Sequence, residues 1–324
     1  MLTDNSDIAE RGRGRLAHTP NEIPVRGLID VFWRVLSEFS EDRVTLIAAG
    51  ATYYLLLALF PALAALVSLY GVVADPVTIA KHITFLSGVF PPGSFDLILD
   101  QLDALARQKN STLSIGVFTG FLIALWSANN GIKALFEAMN IAYGEREKRG
   151  VVRLNLISLL FTFGAIVIAI ALITAIGVIP VVLAYLWLDR WAELLATIAR
   201  WPALLLLVGS GITMMYRYGP SRNPAKVRWL TWGAAFSTLL WLAASILFSL
   251  YLENFADYNA TYGTLGALIG FMVWIWISVI VLILGAEINS ELEHQTSQDS
   301  TIGKPRPMGE RGAYVADTIG AERD

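Results

Sequence analysis

Residues 154–188 read LNLISLLFTFGAIVIAIALITAIGVIPVVLAYLWL, a run with no Lys, Arg, Asp or Glu. A spanning helix needs about 20 mostly apolar residues, because the hydrocarbon core is ~30 Å thick and each helical residue rises 1.5 Å. This run exceeds that need. It can hold one tilted span and an interfacial segment, with Pro180 marking the break. It is too long and too apolar for the core of an ordinary soluble domain, and the class of the whole chain follows from it.

Outward from this run, four further stretches are free of charge: Val44–Ala74, Asn110–Ile132, Trp229–Leu252 and Tyr258–Leu284. Trp201–Tyr216 is shorter, and the neutral Tyr218 extends it. The expected fold is an all-α integral membrane protein with six transmembrane helices, at about 45–74, 111–132, 155–180, 201–218, 229–252 and 262–286. The composition agrees: of 324 residues, 55% are hydrophobic and 16% charged, against roughly 25% charged in a soluble domain. The charges crowd between the runs.

Positive charge in short loops sets orientation. Arg11, Arg13, Arg15, Arg26, Arg34 and Arg43 precede the first span. Lys133, Arg146, Lys148, Arg149 and Arg153 lie around the second loop, and Arg217, Arg222, Lys226 and Arg228 in the fourth. The alternate loops hold few cations, and the fifth holds none. Both termini are therefore expected in the cytoplasm, with the first span as an uncleaved insertion signal, since residues 1–27 contain no apolar signal core.

Residues 1–27 and 293–324 are polar and aperiodic and are expected to be disordered tails around a membrane domain at 28–292. Leu28–Phe39 is amphipathic, with Leu28, Val31, Phe32, Val35, Leu36 and Phe39 opposite Asp30, Arg34 and Glu38. It reads either as a helix on the inner membrane surface or as one packed under the bundle. A second amphipathic helix is expected over Phe95–Ala106 in the first outer loop. Trp187 and Trp191 suit an interfacial belt.

The chain has no cysteine, and its three histidines, His18, His82 and His294, are scattered. No metal-ligand spacing, nucleophile elbow or phosphate-cradling loop appears. No enzyme, metal or cofactor is expected, and the net charge of −3 argues against nucleic acid as a partner.

Polar groups inside the spans are the sharper signal, because each costs free energy unless paired or wetted. Thr52 and Tyr53 lie in the first span. Asn129, Lys133, Glu137 and Asn140 fall at i, i+4, i+8 and i+11, one stripe if the second helix continues, with Lys133 and Glu137 as an ion pair. Asn130 neighbours the stripe, and Glu287 closes the sixth span at the same level. Together they suggest a polar cavity open to the cytoplasm. The plainer reading is that they tie helices together.

Glu253, Asp257, Tyr258 and Tyr262 form an acidic outer rim, either a cation site or simply a solvated loop. Gly116 with Gly120, and Gly266 with Gly270, are small-xxx-small pairs that permit close helix packing. Pro61 is a candidate kink.

Five ordered motifs carry a resemblance. They are Leu46–Pro61 (LIAAGATYYLLLALFP), Leu125–Gly144 (LWSANNGIKALFEAMNIAYG) followed by Glu145-Arg146-Glu147, Tyr218-Gly219-Pro220, Tyr262–Gly266, and Leu284–Asn289. Over about residues 28–292 the chain resembles the YihY/BrkB family of bacterial inner-membrane proteins. The resemblance implies six spans, cytoplasmic ends and a bacterial inner membrane. It also carries older labels, a tRNA-processing ribonuclease BN and a virulence factor, and the residues a metal nuclease needs are missing here. The family has no established catalytic residues to transfer; Tyr53, Pro61, Trp126, Asn140, Tyr143, Arg146, Tyr262 and Glu287 match its motifs.

Three functions are open at this point. The first is a transporter or flippase-like carrier of a lipid-like or amphiphilic envelope substrate, with membrane lipids as its surroundings. The second is a non-transporting scaffold for envelope or virulence functions. The third is the ribonuclease of the older label.

Overall fold

A computed structural model of the chain describes residues 12–70, 115–173, 190–254 and 266–322. The expected helix at Phe95–Ala106, the break at Pro180 and the rim residues Asp257, Tyr258 and Tyr262 lie outside them, as does Trp187. Among these described residues six long helices dominate: α2 (Val44–Tyr70), α3 (Ile115–Ala142), α4 (Val151–Ile173), α5 (Arg190–Tyr218), α6 (Thr231–Asn254) and α7 (Gly266–His294). A 17-residue helix α1 (Val25–Glu41) precedes them, and a short α8 (Tyr314–Asp317) follows. Among the described residues there is no strand, only one isolated bridge between Ala225 and Thr301.

Among the described residues, three helices are long and apolar enough to cross a membrane, over Val151–Ile168, Thr231–Leu252 and Leu268–His294, and Val44–Ala58 is a shorter apolar stretch. Large apolar side chains point outward along them, including Leu156, Leu160 and Phe163 of α4 and Leu239, Ile246 and Leu247 of α6. Such a surface is untenable in water and ordinary in lipid, where helices satisfy their own backbone hydrogen bonds.

Glycines place the tightest contacts. Gly131 of α3 lies against α2, and a Cβ there would stand 3.1 Å from Leu55 and 3.6 Å from Ala58. At the crossing of α6 and α7, a Cβ on Gly233 would strike the carbonyl oxygen of Gly285, and one on Gly285 would come within 2.7 Å of the carbonyl of Gly233. The Gly233 N–H donates to Asn289 Oδ1 at 2.8 Å. Nearby, Ser237 donates to the Val281 carbonyl at 3.0 Å, and the Tyr216 hydroxyl donates to Leu282 O at 2.8 Å, joining α5 to the seam. Of the expected glycine pairs, Gly270 is buried with its Cβ position 3.8 Å from Leu252 of α6, and Gly266 is buried too. Gly116 and Gly120 lie in α3 and Pro61 in α2, which continues as helix to Tyr70; their surroundings fall outside the described side chains.

Helix α1 packs under the bundle along one face and is exposed along another. Val31 and Val35 pack on Trp229 and Leu292, whereas Leu28, Ile29, Phe32 and Leu36 are exposed. The helix thus grips the bundle with one side and turns an apolar stripe outward with another.

The expectation of disordered tails is overturned for residues 12–27 and 293–322. Asp30 is held by Arg13 Nη1, 2.8 Å from each carboxylate oxygen. Arg34 pairs with Glu291 and donates to Gln295 Oε1 at 2.8 Å. The Ser297 N–H donates to Arg15 O at 2.8 Å, and the buried Arg311 donates to Ala316 O at 2.6 Å and Ser297 O at 2.8 Å. Burial opposes ionisation of Asp317, but the N–H groups of Arg311, Gly309, Ala313 and Gly312 outweigh it and hold its carboxyl below the usual range. Order here comes from side chains capping backbone at turns. Gly312, at φ +71°, makes one such turn. Hydrogen-bonded order of this kind leaves no apolar periodicity, which is why composition missed it.

Candidate functional site

The residues expected to line one polar cavity are dispersed. Thr52 is buried and returns its hydroxyl to Ala48 O at 2.7 Å. Tyr53 is 56% exposed, its ring edge-on to Tyr54 at 5.5 Å. Asn129 is buried and donates to Asn155 Oδ1 at 3.1 Å, linking α3 to α4. Asn130 is half-buried. Lys133 lies 5.5 Å from the Trp126 ring, and Glu137 is exposed; no ion pair joins the two among the described residues. Glu253 ends up near the C-terminus of α6, its side chain outside those described.

Two more of the predicted residues sit between elements. Asn140 is buried and caps the turn after α5, accepting the Ser221 N–H at 2.6 Å and donating to Glu147 at 3.3 Å. Glu287 is 1% exposed, with Oε1 lacking a partner, and lies beside Asp42 at the corner between α1 and α2. Burial pushes the Asp42 carboxyl up, and the nearby Glu41 adds to this while the contact with Glu287 opposes it. Contacts of this kind join separate elements of the bundle.

The large cavity forms elsewhere. It lies between α4 and α5, with a volume of about 1180 Å³. Ile157, Phe161 and Ile168 of α4, Leu207, Ile212 and Met215 of α5, and Leu135 of α3 make its apolar walls. Gly164 widens it, since a Cβ there would meet nothing within 4 Å. Leu160, 68% exposed, lies at an open side. None of the residues expected to line a cavity lines this one.

One end of the cavity is cationic. Lys148, Arg149, Arg153, Arg217 and Arg222 line it, and no Asp or Glu does among the described residues. Some of these charges are spoken for. Arg149 forks onto Glu147, with Nε to Oε1 at 2.8 Å and Nη2 to Oε2 at 2.6 Å. It also donates to the carbonyls of Tyr218 and Gly219 at 3.0 and 2.7 Å. Burial resists ionisation of Glu147, but the Arg149 fork and N–H, with Asn140, take its carboxyl down to about 2. Lys148 pairs with Glu145 at 2.7 Å. Arg222 gives Nη2 to Glu293 at 2.6 Å and lies 4.8 Å from the Tyr143 ring, yet Nη1 has no acceptor. Arg217 Nε is likewise buried without one.

The C-terminal segment is tied to this same end. The Asn223 N–H donates to Gly312 O at 3.0 Å, Asn223 Nδ2 donates to Arg311 O at 2.5 Å, and Glu145 accepts the Tyr314 N–H at 2.7 Å. The five cations are visible in the sequence as charged loops, and Tyr218-Gly219-Pro220 as a motif. Their convergence is not, because they come from segments about 70 residues apart. Among the described residues, no group of His, Asp and Glu is placed to hold a metal ion.

Comparison with known proteins places this architecture. A ribonuclease-like protein of Bacillus subtilis (strain 168), YfkH, is 31% identical over 258 residues, covering 76% of this chain and 88% of that protein. A UPF0761 membrane protein of Neisseria meningitidis serogroup B is 25% identical over 266 residues, 81% of this chain but 63% of that longer protein. One of Haemophilus influenzae is 21% identical over 266 residues, covering 81% and 94%. No solved structure matches. The family model for virulence factor BrkB matches residues 35–309, and the chain belongs to this YihY/BrkB family of membrane proteins.

Proposed function

We propose that this protein is a carrier, flippase-like in action, of a lipid-like or amphiphilic envelope substrate. It would sit in the bacterial inner membrane with six spans and both ends cytoplasmic. The observation that carries this reading is the cavity between α4 and α5, apolar along its length, open beside Leu160 and charged at one end. A molecule with a polar head and an apolar body matches that division, and a lateral opening lets it enter from the bilayer. The charged end is the end to which the folded tails are tied, which accords with cytoplasmic termini under the positive-inside rule. With no nucleotide-binding motif in the sequence, directional pumping would draw on an ion gradient or a partner.

A non-transporting scaffold is the second reading, favoured by the folded cap of residues 293–322, which offers a docking surface. We read the chain as a non-enzyme; the ribonuclease-like name belongs to a relative. The test uses full-length protein in liposomes, scored for movement of fluorescent lipid between leaflets. Gly164→Phe fills open space, so the variant should fold and lose at least about tenfold in rate, equivalent to ~1.4 kcal/mol in barrier. A folded variant that moves lipid as fast as the parent would sink the carrier reading and leave the scaffold.

A further inference from the structure

We infer that the cationic end of the α4–α5 cavity is a binding site for a phosphate group, carried by an anionic amphiphile whose apolar body fills the cavity. This rests on the carrier reading for its biological role and deepens it by naming the substrate class. Three observations converge. Five cationic side chains and no carboxylate line that end among the described residues. Charge of one sign collected around a cavity calls for a counter-charge, and the protein supplies Glu145, Glu147 and Glu293 to Lys148, Arg149 and Arg222 only from outside the lining.

The second observation is unused donors. Arg222 has a side chain only 2% exposed and keeps Nη1 without an acceptor. Arg217 Nε is also buried and without one. A buried guanidinium donor left unmade costs the desolvation of that group, so these two N–H groups gain most from an acceptor brought in by a ligand. Phosphate suits them better than carboxylate, because it offers acceptor oxygens in several directions to planar donors from different segments.

The third is the start of α4. Gly150 lines the cavity, and the helix begins at Val151, so its first N–H groups lack intrahelical partners at the same end as the arginines. The apolar remainder sets the other half of the ligand. At about 1180 Å³, the cavity exceeds the ~300–1,000 Å³ usual for small-molecule sites, and a free phosphate would leave most of it empty. An anionic phospholipid fills both parts.

Calorimetric titration of the detergent-solubilised full chain tests this with three probes: dihexanoyl phosphatidylglycerol, the phosphate-free dihexanoyl glycerol and inorganic phosphate. The anionic phospholipid should bind about tenfold or more tighter than the phosphate-free lipid. Arg217→Gln and the exposed Arg153→Gln should each weaken it by about tenfold, as loss of a charge-assisted hydrogen bond does. Arg228→Gln, an exposed charge outside the cavity, should leave binding unchanged.

Equal binding of the two lipids, or unchanged binding in both cavity variants, overturns the phosphate site. Inorganic phosphate binding as tightly as the lipid supports the site and assigns it a soluble ligand. The two proposals fail separately. Binding intact without leaflet exchange removes the carrier and leaves the site, and exchange that ignores headgroup charge does the reverse.

Discussion

The seam between α6 and α7 and the space between α4 and α5 use the same residue types to opposite ends. At the seam, Gly233 and Gly285 bring two backbones together and polar side chains reach across: Ser237 donates to Val281 O, Tyr216 donates to Leu282 O, and Asn289 Oδ1 accepts the Gly233 N–H, while Asn289 Nδ2 has no partner. Between α4 and α5, Gly164 opens onto empty space, while arginine donors at the cavity end remain without acceptors. A glycine therefore marks either contact or vacancy. What separates the two is whether the neighbouring helix follows. The comparison teaches that the close-packed part of this bundle and its open part are distinct helix pairs.

The contrast breaks most sharply at the seam. Gly233→Val should destabilise by about 3 kcal/mol or more, because the obstacle is a backbone carbonyl that cannot rotate away. Gly164→Ala should stay within about 0.5 kcal/mol. Thermal unfolding of both variants in detergent measures the difference, and similar losses would erase the distinction.

An intermediate effect is expected at the cavity's charged end. The carboxyl of Glu147 lies at about 2 in the folded protein, below its value in an unfolded chain, near 4.3. A lowered folded pKa contributes stability that is fully present above the unfolded value and is lost as pH falls towards the folded one. Acidification from about pH 5 to 2 should therefore release the Arg149 fork. Glu147→Gln should cost roughly 2 kcal/mol at neutral pH, as hydrogen bonds to charged groups do. It should also flatten that part of the pH–stability curve. A curve superimposable on the parent's would show that the fork does not hold the turn between α3 and α4.

A smaller loss is expected for Tyr216→Phe, at about 1 kcal/mol, the net worth of one hydrogen bond. A larger loss would mean that the hydroxyl organises the three-helix junction rather than completing it.

How far the sequence reaches is clear from particular residues. The charge-free runs are seen as helices at Val151–Ile168, Thr231–Leu252 and Leu268–His294, and the period in Leu28–Phe39 as α1. Asn140 was legible as a polar residue of consequence, although its partner is a backbone N–H 81 residues away. The expected Lys133–Glu137 pair was not formed: the spacing permits it, but Trp126 offers Lys133 an aromatic face while Glu137 turns outward. The order of the C-terminal segment was illegible because it rests on single groups such as Asp317, whose acceptor oxygens gather N–H groups from one turn.

By itself the sequence determined that this is a helical membrane protein, because apolarity over a bilayer's thickness is a local property that any window of about 20 residues displays. It also determined family membership, through motifs that are contiguous in the chain. Only the tertiary structure decided where the space lies. A cavity belongs to no segment: it is what remains when α4 and α5 diverge while α6 and α7 close. The arginines of the second and fourth loops became its charged end only once packing had brought them together.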